Sequence, residues 1–312
     1  MSSDKPFEPT LSDVLVVRAM LAKTTILPEL VGTILDYAEY WARSSAKAQL
    51  NEVIAARFVG RGEFDYEETR FLLRSYPVGL TERAYEAEED GNADDDDSSS
   101  REERFSTIIP DPLPVFKEFD RDFFQRAIKN ASTFSSPARK IVFRIRSHDQ
   151  GWTTDDVPGP FMAAKTWFDA GIERFDASSS TDEADGNDMK QWTARKLGTI
   201  EPQVKEAKDA HQGWDYQFPY THWKGPYEIQ RNRMASSEFT DYEVTWTCWD
   251  VITPDSPEAF ELMREGKGRR VGDGRFVRNL KLGDVVTVWG RAMHRGWINT
   301  VESVQIDIYW AL

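Results

Sequence analysis

From Lys140 onward several stretches repeat apolar residues at every second position, the period of β-strands, with SPEAFELMREG (256–266) expected as a short helix inserted between them. In KIVFRIRSH (140–148), Ile141, Phe143 and Ile145 point one way while Arg144, Arg146 and His148 point the other. YEVTWTCWDVI (242–252) sets Val244, Trp246 and Cys248 against Thr245, Thr247 and Trp249. GDVVTVWGRA (283–292) alternates too, and VESVQIDIYWAL (301–312) offers Val304, Ile306, Ile308 and Trp310 as one inward set. Ten of the eleven tryptophans lie between Trp152 and Trp310, which supplies a large aromatic core. Such strands, joined by long irregular connections, predict a mainly β, α+β fold. Its body is expected to be an antiparallel β-sandwich of jelly-roll or galactose-binding-like type, with a small N-terminal helical segment.

The N-terminal part has a different period. In TTILPELVGTILDYAEYW (24–41), Leu27, Leu30, Val31, Ile34, Leu35, Ala38 and Trp41 fall on one helical stripe. Thr24 or Thr25 is placed to cap this helix, with Pro28 in its first turn. Amphipathic stretches before it (Val14 to Leu21) and after it (Leu50, Val53, Ile54) complete an expected helical segment over residues 1–60. Residues 61–139 then read as a connecting region, and 140–312 as the sandwich. Within the connection, residues 86–104 are dense in Asp, Glu and Ser and nearly free of apolar residues, the composition of a disordered acidic loop. DASSSTDEADGND (176–188) has the same character.

Charge and cysteine content narrow the partners. A net charge of −14 disfavours nucleic acid and anionic membranes, whose affinity comes from clustered Lys and Arg. There is no twenty-residue apolar run, and MSSDKPFEPT lacks a signal-peptide core. Cys248 is the sole cysteine, so an internal disulfide is excluded and a reducing compartment, cytoplasm or nucleus, is expected.

The clearest candidate site is a pair of similar turns. SHDQGW (147–152), with Arg146 before it, brings His148, Asp149, Gln150 and Trp152. RAMHRGWIN (291–299) brings Arg291, His294, Arg295, Trp297 and Asn299. At one end of a sandwich these residues would surround a concavity with donors, acceptors and flat rings, suited to a protein or a glycan. The competing account makes Trp152 and Trp297 core plugs covered by arginine stems.

Catalytic chemistry has weaker signals. A glycoside hydrolase needs two carboxylates across a cleft, and Asp169, Glu173, Glu302 and Asp307 are available, but Asp307 alternates onto the outer face of its strand. Cys248 lies in an apolar strand and reads as an inert thiol. REGKGRRVGDGR (264–275) is basic and glycine-rich yet lacks the Lys-Ser or Lys-Thr ending of a phosphate loop. PYTHWKGPYEIQRNR (219–233) mixes rings with basic residues, but in an acidic chain it does not argue for nucleobase stacking. No spacing matches a zinc or calcium motif, and no metal or other cofactor is expected.

Several of these strings, IVFRIRSHDQGW, TWFDAGIERFD, NRMASSEFTDYEVTWTCWD and NLKLGDVVTVWGRAMHRGWINTVESVQIDIYWAL, resemble a group of largely uncharacterised fungal proteins. The LPELVGTILDYAEYW helix is similar to the opening of F-box-like segments. The resemblance covers residues 25–42 and 140–312 and implies the fold and an adaptor role, with no catalytic residue carried over. The expected function is therefore non-catalytic recognition of a protein or glycan. A carbohydrate-active hydrolase using carboxylates at the same rim, or a structural subunit of a larger assembly, are the alternatives.

Overall fold

The structure, a computed structural model, describes residues 8–59, 66–80, 106–127, 131–153, 159–179, 197–207, 213–220 and 225–312. The acidic stretch 86–104 and most of 176–188 lie outside the described residues. Helix α1 (Leu11–Ala22) begins at a reciprocal cap, in which the Thr10 hydroxyl accepts from the Asp13 amide and Asp13 accepts from the Thr10 amide. Helix α2 (Pro28–Tyr37) starts after Leu27, which makes no side-chain capping bond. Neither expected threonine caps it: the Thr24 hydroxyl instead donates to the Leu21 carbonyl at the end of α1.

The predicted third helical stretch is a strand. β1 (Ala42–Ala55) pairs antiparallel with β12 (Ile298–Trp310) along its whole length, from Ala42 opposite Trp310 to Ala55 opposite Ile298. Ala42, Ser44, Ala46 and Ala48 face the core and Arg43, Ser45 and Lys47 face away. Small residues carry this alternation, and alanine favours helix by propensity, so the period is faint in the sequence. A bulge between Gln49 and Glu52 is turned by Asn51 at φ 52°, a conformation asparagine tolerates.

β4 (Ala138–His148) and β10 (Thr240–Thr247) complete a four-stranded sheet in the order β1-β12-β4-β10. Ile141, Phe143 and Ile145, with Val304, Ile306, Ile308 and Trp310, are buried on its inner side. The second sheet is curled into a half-barrel. It runs from β2 (Arg57–Phe58) through β3 (Tyr66–Arg74), β11 (Val285–Met293) and β5 (Thr166–Phe175) to β6 (Leu197–Glu201), and β9 (Glu228–Arg231) also pairs with β5. Phe168, Ala170 and Ile172 of β5 and Val286, Val288 and Ala292 of β11 meet the first sheet in a shared core. The sandwich thus draws strands from residues 42–55 and 66–74, which lie N-terminal to the expected boundary at 140. No helix among the described residues is long and apolar enough to cross a membrane.

Candidate functional site

The two Gly-Trp turns stand side by side. Gly151 (φ 84°) and Gly296 (φ 85°) both take the left-handed conformation that a tight turn needs. Gln150 Oε1 accepts from the Ile298 amide at 3.3 Å, and the edge of the Trp152 ring lies 3.5 Å from where a Gly296 Cβ would stand. Their tryptophans differ: Trp152 is 59% exposed whereas Trp297 is buried.

Three more residues expected to present their side chains at this rim are buried instead. Asp149 is wholly buried, its carboxylate accepting from the amides of Gly151, Ala235 and Ser236, so it fastens a loop. Burial raises its pKa and those three amides oppose the rise. Asn299 is buried in a polar knot between the sheets, where its Nδ2 donates to the carbonyls of Trp167 and Arg291 and its Oδ1 accepts from Asn232. Asn232 also binds Ser147 and Thr166, joining β4 to β5. Arg291 is buried on the far side of the curled sheet. Of the rest, Arg146 pairs with Asp241 at 2.8 Å and with Glu302, and its guanidinium lies over Phe239. His148 Nδ1 is 2.6 Å from the Asp149 carbonyl and its ring meets Phe239 edge-on. The His294 amide (φ 68°) donates to Tyr66, and Arg295 is exposed.

The far side of the curled sheet holds a cluster that alternation alone does not reveal. Trp167, Asp169, Gly171 and Glu173 of β5 share that face with Thr287, Trp289 and Arg291 of β11, because Trp289 pairs with Asp169 and Arg291 with Trp167. Asp169, Glu173 and Arg291 are essentially inaccessible to solvent. Part of the cover comes from residues 214–220, which include β8 (Trp214–Gln217), the partner of β7 (Gln203–Glu206). Tyr216 and Phe218 stack edge-on against Trp289, and Phe218 and Tyr220 stand 4.4 and 5.9 Å from the Arg291 guanidinium. Trp167 covers the same guanidinium at 4.9 Å.

Arg291 bridges Asp169, at 3.0 Å, and Glu67. Trp167 Nε1 donates to the same Asp169 oxygen at 3.0 Å. Gly171 is required here, since a Cβ would stand 2.3 Å from the Glu201 carbonyl oxygen and 2.9 Å from the Trp289 indole nitrogen. Further along, Glu173 is locked to Arg74 by two bonds of 2.7 and 2.9 Å. Burial pushes the Asp169 pKa up, Arg291 pulls it down and Glu228 adds to the rise. Glu201 is raised by burial, eased by its bond from the Tyr220 hydroxyl at 3.1 Å and raised again by Asp169. The phenols of Tyr216 and Tyr220 are held far above their ordinary value, chiefly by burial, so both stay protonated donors.

The other carboxylates weighed for hydrolysis are engaged. Asp307 does lie on the outer sheet face, yet it is buried there by its bonds to Arg144 and Gln305, and Glu302 is held by Arg146. Among the described residues no group of three His, Cys, Asp or Glu side chains is placed to hold a metal ion.

Glu201 gives this face a testable pH signature. Its folded pKa lies above the ordinary value of 4.5, so the stability it contributes is full below that pH and is lost as pH rises through the folded value. Glu201→Gln keeps an acceptor for Tyr220 and removes the titration. The variant is expected to gain stability relative to the native chain between acid and neutral pH. Urea midpoints for both proteins across that range check this, and a constant difference would mean that the carboxylate is solvated.

Comparison of the chain with protein-family models, with curated proteins and with solved structures found no match in any of the three.

Proposed function

We propose that this chain is a non-catalytic recognition protein, an adaptor that takes a protein partner on the outer face of its N-terminal helical pair. The observation that supports this reading is the split of the α2 apolar stripe. Val31 and Leu35 are buried and Trp41, just beyond the helix, is sealed in, while Leu27, Leu30, Ile34 and Tyr37 are 63, 48, 37 and 88% exposed. On α1, Val16 and Met20 are exposed as well. Trp249 stacks on Trp41 at 5.4 Å and is itself half-exposed, next to the exposed Val251. Leu27, Leu30, Ile34 and Tyr37 recur at helical spacing on one side of α2, and apolar side chains gathered on one face mark interaction surfaces, whereas single ones carry no meaning. The F-box-like resemblance of residues 25–42 agrees with an adaptor.

Leu30→Ala tests the reading. It is expected to cost less than about 1 kcal/mol, as for a surface change away from a packing feature. Native and Leu30→Ala proteins, each used to capture binders from the same extract, are expected to differ by loss of a bound protein. A cost near the roughly 2–5 kcal/mol of a buried leucine would place that face in the protein's own core instead.

A glycan at the loop rim is the second reading, and the exposed ring of Trp152 against Gly296 favours it. Gln150 weakens it, because its amide is committed to the Trp152 carbonyl and the Ile298 amide. The hydrolase reading has the least support, with Glu173, Glu302 and Asp307 all bound to arginines.

A further inference from the structure

We propose that the free edge of β10 receives an extended, basic segment of a partner protein, which adds as a further strand to the four-stranded sheet. β10 ends the order of that sheet and pairs only with β4 among the described residues. The Cys248 amide donates to the Arg139 carbonyl, so by strand alternation Tyr242, Val244 and Trp246 turn their backbone groups toward β4. Asp241, Glu243 and Thr245 therefore turn theirs outward, and none of these amides and carbonyls has a partner among the described residues. The free stretch ends at Thr247, whose amide donates to Asp250 at 2.7 Å. Proteins ordinarily blunt a sheet edge with a bulge, a proline, a lysine or a cover. β1, at the other edge of this sheet, has a bulge and the exposed Lys47, whereas β10 keeps a regular register and contains neither proline nor lysine.

Charge decides what the edge takes. On the outer face of the sheet Arg146 is paired with both Asp241 and Glu302, and Arg144 with both Glu243 and Asp307, so two cations meet four carboxylates. Lys140, the next cation along β4, is paired with Glu39. Asp241 and Glu243 are the carboxylates on the edge strand itself, and both are exposed. Lysines or arginines at alternate positions of an added strand would share that face with them, where cross-strand neighbours of opposite charge attract. An acidic segment, or a second copy of this chain with the same carboxylates, would be repelled. Backbone bonds to the edge supply the affinity, and the alternate side chains supply the choice of partner. This edge is separate from the helical face proposed above for a protein partner.

The probe is a short fluorescein-labelled peptide in which lysine alternates with valine, followed by fluorescence anisotropy at neutral pH and low salt. It is expected to bind with Kd below about 1 mM. Two control peptides are expected to bind at least about tenfold more weakly. One carries glutamate in place of lysine; the other keeps the lysines but is N-methylated at every backbone amide, which removes the donors a strand needs. Thr245→Pro removes an outward amide at a place where an edge strand tolerates proline, and it is expected to fold and to weaken the lysine peptide by about tenfold. Should it not fold, the double variant Asp241→Asn, Glu243→Gln, which leaves Arg146 with Glu302 and Arg144 with Asp307, is expected to weaken the peptide by about tenfold as well. No binding of the lysine peptide, equal binding of either control, or native affinity in a folded variant overturns the proposal. So does a native dimer that Thr245→Pro disperses in sedimentation, which would give the edge to a second copy. Leu30→Ala is expected to bind the peptide as the native chain does, so failure at the helical face and failure at this edge are told apart.

Discussion

Arg291→Ala is expected to cost about 3–5 kcal/mol of folding stability, the range for removing one partner of a buried ion pair. The guanidinium is fully buried, bridges Asp169 and Glu67, and sits among the rings of Trp167, Phe218 and Tyr220. Without it Glu67, which is partly exposed, turns to water, but Asp169 has no such exit. Its remaining bond, from Trp167, is too little for a dry carboxylate. The double variant Arg291→Met, Asp169→Asn removes both charges and keeps an acceptor for Trp167. It is expected to recover most of the loss, since an apolar or neutral replacement of a buried pair is often close to neutral. Urea unfolding of the single and double variants measures both quantities. A cost below about 1 kcal/mol for the single variant would mean that water reaches Asp169.

That pair also shows where sequence reading stops. Asp169 and Arg291 are far apart in the chain, and only the register that sets Trp289 against Asp169 brings them together. Alternation correctly sends both away from Phe168, Ala170 and Val288, and the rule that the polar face is the wet face then fails. The face is dry because the sheet curls and residues 214–220 fold over it, and neither feature has a local signature. Two charges interleaved with Trp167 and Trp289 are the one clue in the sequence, since rings beside charges on an outward face suggest a cover. Strands rich in Ile, Val and Phe, such as 140–148 and 301–312, are legible because their side chains mark the core side by bulk. β1 is not, because Ala and Ser mark its core side only by smallness.

Trp297→Ala is expected to cost about 3–5 kcal/mol, and Trp152→Ala less than about 1 kcal/mol, although the two turns are alike in sequence. Both tryptophans come directly after a glycine with the same positive φ, so the turn itself does not separate them. The backbone on the far side of each ring does. Trp297 precedes the first residue of β12, its carbonyl accepts from the Ala56 amide and its amide donates to the His294 carbonyl, which fixes the backbone with the ring inward. Trp152 comes after β4 has ended, and its carbonyl is held only by the side chain of Gln150 among the described residues, so its ring lies over the neighbouring turn. The ring of Trp297 is therefore a plug, while that of Trp152 is exposed. Unfolding midpoints of the two variants decide it, because the bulk removed is identical and only burial differs. Equal costs would mean that Trp152 is packed as deeply as Trp297, and would remove the ring on which the glycan reading rests. If instead Trp152→Ala folds normally and loses affinity for a glycan, the rim becomes a site distinct from the helical face.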